Sequence, residues 1–227
     1  MTMIRCHTQV VTTSAGKYVF GGDYWHDTWK TYEYLPTGSK NWKIARNSIP
    51  RGFMNGFTIA SKSGKMVWLI GGICTAKRIL QFNVDDHTFE ELPTKLIVSR
   101  ERPRCAFIPN TNKIMITGGR GNSQTLDSTE IFDPEDGTVT LAGKLNCKRF
   151  NHGIGILTIN NEDKLAVFGG SDNIRKRLQD GRTDLRSVEL YDYQNDKWEI
   201  SNIKLQKATS NFGFLSYKQG ELSKTLK

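Results

Sequence analysis

The chain has 227 residues, a formal net charge of +9, 37% hydrophobic and 24% charged residues. That is long enough for one large domain with a real core, and the balance excludes collagen-like and disordered classes. No stretch approaches the roughly 18 consecutive apolar residues of a membrane span, and Arg5 and His7 stand where a secretory leader would place its apolar segment. The four cysteines, at 6, 74, 105 and 147, show neither CxxC nor zinc-ligand spacing, and no Asn-x-Ser/Thr sequon occurs. Reduced thiols in a cytoplasmic chain are expected. The basic balance favours acidic partners without choosing among nucleic acid, acidic peptides and anionic lipid.

In chain order, residues 9–11 and 18–20 read as short strands that lead to Gly21-Gly22, followed by Tyr34 and Trp42 around a turn. Residues 57–59 and 66–70 lead to Gly71-Gly72, then Phe82 and Phe89 flank a polar turn. Residues 106–108 and 114–117 lead to Gly118-Gly119, then Phe132 and Val139. Residues 154–156 and 165–168 lead to Gly169-Gly170, then Tyr191 and Trp198. The doublets lie 50, 47 and 51 residues apart. Each period therefore holds four short strands, two of them forming a hairpin around the polar turn, with no helix-length periodicity of 3.6. One more first strand reads at 209–217, and residues 218–227 form a basic tail. The period, the strand count and the turn glycines are the arithmetic of a β-propeller blade.

The apolar run, the glycine doublet, the Tyr/Phe-x6-Trp/Phe spacing and the period together resemble kelch repeats. The resemblance implies an all-β kelch propeller over residues 1–217, with four complete four-stranded blades at about 4–48, 49–98, 99–146 and 147–203 and one extra strand. Val139, where tryptophan is usual, implies a poorer contact in the third repeat. Kelch rings usually have five to seven blades. Two explanations of the count stay open: an incomplete ring, part of a longer parent that could carry a BTB or other domain, or a small ring closed by the last strand.

In kelch propellers that bind peptides, the residues after each doublet and those leading into each first strand build the binding face. Carried onto this sequence, the first group is Asp23, Tyr24, Trp25, Ile73, Arg120, Asn122, Ser171, Asp172 and Asn173. The second group, counted back from the doublets, is His7, Asn55, Arg104 and His152. Arg104 and Arg120 fall in one blade, and two guanidiniums side by side offer fork-shaped carboxylate recognition. Tyr24 and Trp25 are aromatic anchors, and Asn55, Asn122 and Ser171 are hydrogen-bonding groups. His7 and His152 also suit a scaffold role. A long loop at 171–186 carries Arg175, Lys176, Arg177, Arg182 and Arg186 against three aspartates.

There is no HExxH, GxSxG, Walker or CxxC motif. Gly119-Arg120-Gly121 begins like a dinucleotide loop, but Gln124 stands at the third glycine and no helix pattern follows. No catalytic or metal residues, and no cofactor, are assigned. The expectation is a non-catalytic interaction scaffold that binds an acidic peptide or protein, as an adaptor or substrate receptor, with no membrane partner. Nucleic-acid or anionic-surface binding through the 171–186 loop is the second reading, and a kelch-type enzyme is the third.

Overall fold

The computed structural model describes residues 3–6, 8–22, 28–45, 49–73, 75–172 and 184–211. These residues form four antiparallel four-stranded meanders. The first holds β1 (Val10–Thr12), β2 (Gly16–Phe20), β3 (Tyr32–Pro36) and β4 (Lys43–Ile44). The second holds β5 (Phe57–Ala60), β6 (Met66–Ile70), β7 (Arg78–Asn83) and β8 (Thr88–Lys95). The third holds β9 (Arg104–Phe107), β10 (Ile114–Thr117), β13 (Thr129–Asp133) and β14 (Thr138–Ala142), with a small hairpin of β11 (Arg120–Gly121) and β12 (Gln124–Thr125) inserted after β10. The fourth holds β15 (Gly153–Ile159), β16 (Glu162–Phe168), β17 (Ser187–Asp192) and β18 (Lys197–Lys204). The first strands are neighbours in succession, β1 beside β5, β5 beside β9 and β9 beside β15. Most of the extra strand expected at 209–217 lies outside the described residues.

Local chemistry repeats with the sheets. In the outer hairpins Asn83, Asp133 and Asp192 each accept a backbone N–H two residues on, from Asp85 (2.9 Å), Glu135 (3.0 Å) and Gln194 (3.0 Å). These side chains hold the turn that returns the chain. The last turn residues, His87, Gly137 and Asp196, all have positive φ.

Apolar faces pack sheet against sheet. Phe82 and Phe89 stand directly opposite each other on β7 and β8, with ring centroids 4.7 Å apart. They fill the seam with the first sheet, where Phe82 meets Phe20 at 5.1 Å and Tyr32 at 5.2 Å. Phe132 with Val139 fills the next seam beside Trp68, and Tyr191 with Trp198 the one after. The first repeat corrects the sequence reading. Tyr34 points the other way, into the seam with the second sheet, stacked on Tyr18 at 5.5 Å. Because Glu33 faces Ile44 and Tyr34 faces Lys43, the residue in register with Trp42 is Leu35. The cross-strand spacing is then the same in all four repeats.

One polar device runs through the apolar packing. Arg100 and Glu130 are fully buried and paired at 2.6 Å. Arg149 and Glu189 repeat the pair at 2.5 Å, and Arg5 and Glu33 at 2.9 Å. Each arginine also donates from Nη1 to the carbonyl of its own sheet's first doublet glycine, at 2.6 Å on Gly21, Gly118 and Gly169. The second sheet lacks the pair. The backbone pattern aligns Phe53 with Arg100 and Leu80 with Glu130, and both are buried. Losing one member of such a pair strands a buried charge, whereas replacing both with apolar groups need cost little.

Arg100→Phe alone should destabilise the protein by about 3–5 kcal/mol. The double variant Arg100→Phe/Glu130→Leu, which copies the second sheet, should recover more than half of that loss. Urea unfolding midpoints at unchanged m-value are the check.

Candidate functional site

Each glycine doublet fixes the start of the next repeat. The second glycine donates its N–H to a carbonyl beyond its own sheet: Gly22 to Phe53, Gly72 to Arg100, Gly119 to Arg149 and Gly170 to Thr209, at 2.9–3.3 Å. Two residues further on, the backbone turns left-handed at Asn55 (φ 56°), Arg102 (51°), Asn151 (51°) and Asn211 (57°). Asparagine tolerates that conformation better than most residues, and arginine does not. The four residues line one cavity of about 200 Å³, together with Thr8, Gln9, Gly56 and Arg104. All four sheets contribute to its wall. Neighbouring members are tied by backbone bonds, Arg102 N–H to Asn55 O at 2.6 Å and Asn211 N–H to Asn151 O at 2.8 Å.

Among the described residues the wall carries two guanidiniums and several amides, and no carboxylate. Arg102 donates from Nε to Asn55 Oδ1 at 3.2 Å. Arg104, opposite Thr117 on β9, lies over the Phe57 ring at 5.8 Å and donates to the Pro103 carbonyl at 3.1 Å. Burial, with the nearby charge of Arg102, holds its pKa down to about 10, so it stays charged at neutral pH.

Of the residues singled out in the sequence, Asn55 and Arg104 line this cavity. Arg120 does not: it sits on β11, bridged through its backbone to Glu101, with its guanidinium 5.7 Å from the Phe150 ring centroid. The arginine that shares the cavity with Arg104 is Arg102, not Arg120. Asn122 is exposed at the tip of the β11–β12 hairpin, where it and Ser123 both take positive φ (49° and 60°). Ser171 is buried and bridged through its backbone to Phe150 and Asp184. Arg186 is exposed and donates to the Leu205 carbonyl at 2.8 Å. His7, Asp23, Tyr24, Trp25, Asn173, Arg175, Lys176, Arg177 and Arg182 lie outside the described residues.

His152 is fully buried, its ring packed beside Gly118, its Cβ beside Gly170 and its Nε2 2.7 Å from Thr117 Oγ1. It is thus a seam residue that presents no surface to a partner. Burial, then the charges of Arg149, Arg104 and Arg100, push its pKa well below the ordinary histidine value of 6.5. His87, in the polar turn between Phe82 and Phe89, joins the first two sheets. Its Nε2 lies 3.2 Å from Tyr18 Oη and its Nδ1 3.1 Å from Tyr32 Oη. Burial lowers its pKa too, against the opposing charge of Asp86.

The residues that sequence counting missed are Arg102, Asn151 and Asn211. Their signal was present two residues after Arg100, Arg149 and Thr209. Among the described residues no cluster of three His, Cys, Asp or Glu could hold a metal, and no helix is long and apolar enough to cross a membrane.

A kelch motif is matched at residues 102–146, the stretch that builds the third sheet and its inserted hairpin. The solved structure of YjhT superposes with a TM-score of 0.72 over 91% of this chain and 73% of that one, at 13% identity, a likeness of fold. No curated protein matches the sequence. Kelch repeats generally mediate protein–protein interaction.

Both lowered histidines bind protons more readily in the unfolded chain than in the folded one. Their contribution to stability is therefore complete above pH 6.5 and is lost as pH falls through the folded values. Urea midpoints should fall between pH 7 and 5. His87→Asn, which tolerates positive φ and does not titrate, should flatten part of that slope.

Proposed function

We propose that this kelch chain is a non-catalytic interaction scaffold that holds an acidic peptide or protein partner over the cavity at the end of its four sheets. One observation carries the proposal: the Arg104 guanidinium, with no carboxylate against it, faces a polar concavity whose described wall has no acid. Arg5, Arg100 and Arg149 are each matched by their own glutamate, so Arg104 is where positive charge stays available. An acidic side chain supplies the missing counter-charge, and the arginine fork suits its geometry. The amides of Asn55 and Asn151 suit hydrogen bonding to the partner's backbone or side chain. The rim charges speed encounter with an acidic partner more than they hold it.

Binding of a fluorescein-labelled Glu/Asp-rich peptide panel to the full chain, followed by anisotropy, tests the proposal. Arg104→Gln should weaken the best binder by about 1–3 kcal/mol. Arg120→Ala, outside the cavity and already engaged over Phe150, should weaken it less. Unchanged affinity in the Arg102→Gln/Arg104→Gln double variant would overturn the site assignment.

A further inference from the structure

We infer that the cavity is by itself a site for a free small carboxylate, with Arg104 supplying the charge and Asn55 and Asn151 the neutral hydrogen-bonding groups. This deepens the reading above and rests on it for the choice of cavity, but it does not need a protein partner. It commits to a ligand group and a size.

The first support is an accounting of charge. Arg5, Arg100 and Arg149 each have a glutamate within 2.9 Å. Arg78 has Glu91 at 3.3 Å. Arg104, by contrast, has a carbonyl and an aromatic face and no carboxylate among the described residues. Four of its five N–H groups are therefore unused. Its lowered pKa has the same cause, a guanidinium taken from water without a counter-charge.

The second support comes from the amides. Asn151 is 5% exposed and lines the cavity, and its side chain makes no hydrogen bond among the described residues. Asn55 is 8% exposed, and its Oδ1 is taken by Arg102, which leaves its NH₂ group for a ligand. Two amides with hydrogen-bonding groups left over, both lining the cavity beside Arg104, describe a preformed acceptor-binding surface.

The third support is shape. The Phe57 ring backs the Arg104 guanidinium, and a planar fork held in this way fits a planar two-oxygen acceptor. A cavity of about 200 Å³ lies below the roughly 300–1,000 Å³ of pockets that enclose drug-sized ligands. It takes a group of side-chain size: a short mono- or dicarboxylic acid when free, or one Glu or Asp side chain when carried by a peptide.

The test titrates the full ¹⁵N-labelled chain with glutarate, with neutral glutaramide and with inorganic phosphate, followed by amide shifts and calorimetry. Glutarate should saturate, with the largest shifts at Asn55, Arg102 and Asn151, and glutaramide should not. Arg104→Gln should weaken glutarate at least tenfold. Asn151→Asp retains both arginines and a residue type that accepts positive φ, yet adds the missing counter-charge inside the cavity, so it should also weaken glutarate at least tenfold. Failure of glutarate to saturate the native chain overturns the inference, as does undiminished binding in both variants. Phosphate binding as tight as glutarate overturns the choice of carboxylate. The two readings separate cleanly. An acidic peptide that binds through Arg104 while glutarate is silent leaves the scaffold reading standing and removes this one. Glutarate binding with no acidic peptide bound does the reverse.

Discussion

The arginine of the Arg–Glu pair is the point through which the repeat is built. Arg100 reaches Glu130 on the third strand of its own sheet and the Gly118 carbonyl at the end of the second. Its backbone carbonyl meanwhile accepts the N–H of Gly72 from the preceding sheet. Arg149 does the same, with Glu189, Gly169 and Gly119. One residue thus fixes strand to strand within a sheet and sheet to sheet along the arc. The glycine doublet follows from this geometry. A Cβ on Gly118 would stand 2.3 Å from the Arg149 carbonyl oxygen, and the backbone there has φ of +54°. Only glycine admits both the approach and the conformation. The cavity depends on the same lock, because the left-handed residue that faces it lies two positions after the arginine.

Sheet 2 shows what the lock is for. Phe53 and Leu80 take the places of arginine and glutamate, and the sheet order and doublet geometry are unchanged. The ion pair is therefore one of two solutions to filling the same space. Its contribution lies in satisfying the doublet carbonyl and the third strand together, in a place where a lone charge could not stay. Complementary change at two positions far apart in sequence keeps the register of the repeat while the chemistry of the seam varies.

The architecture was legible because its signals are local. Doublets at the ends of apolar runs, and bulky residues seven apart across a four- or five-residue turn, need no knowledge of distant contacts. The first repeat misled because Tyr34 is aromatic and Leu35 is not, although Leu35 holds the register with Trp42. The Arg–Glu pairs were hidden because their members lie 28, 30 and 40 residues apart. Ser/Thr-x-Glu before the third-strand bulky residue, at Thr31, Ser128 and Ser187, was the available clue. The site was half legible. Asn55 and Arg104 were found, but counting back across hairpins of different length put Arg104 and His152 in line with Asn55, where Arg102 and Asn151 belong. His87 could not be weighed as a turn residue alone, because its importance comes from two tyrosines of another sheet.

Two kinds of buried arginine coexist in this chain, and the difference separates scaffold from site. The lock arginines are wholly enclosed and wholly compensated, so their charge is spent on the fold. Arg104 is only partly enclosed, stacked on Phe57 and open to the cavity, where water can share its solvation. A guanidinium in that position weakens folding slightly, as its lowered pKa records. Nothing in the packing requires it: the corresponding residue of the second repeat is Phe57 and of the fourth Gly153, both neutral, and β5 and β15 form around them without difficulty. A charge that the fold does not use, held at the meeting point of four rigid sheets, is the feature that recognition of an anion needs. Rigid backing by the locks keeps its position from depending on the ligand.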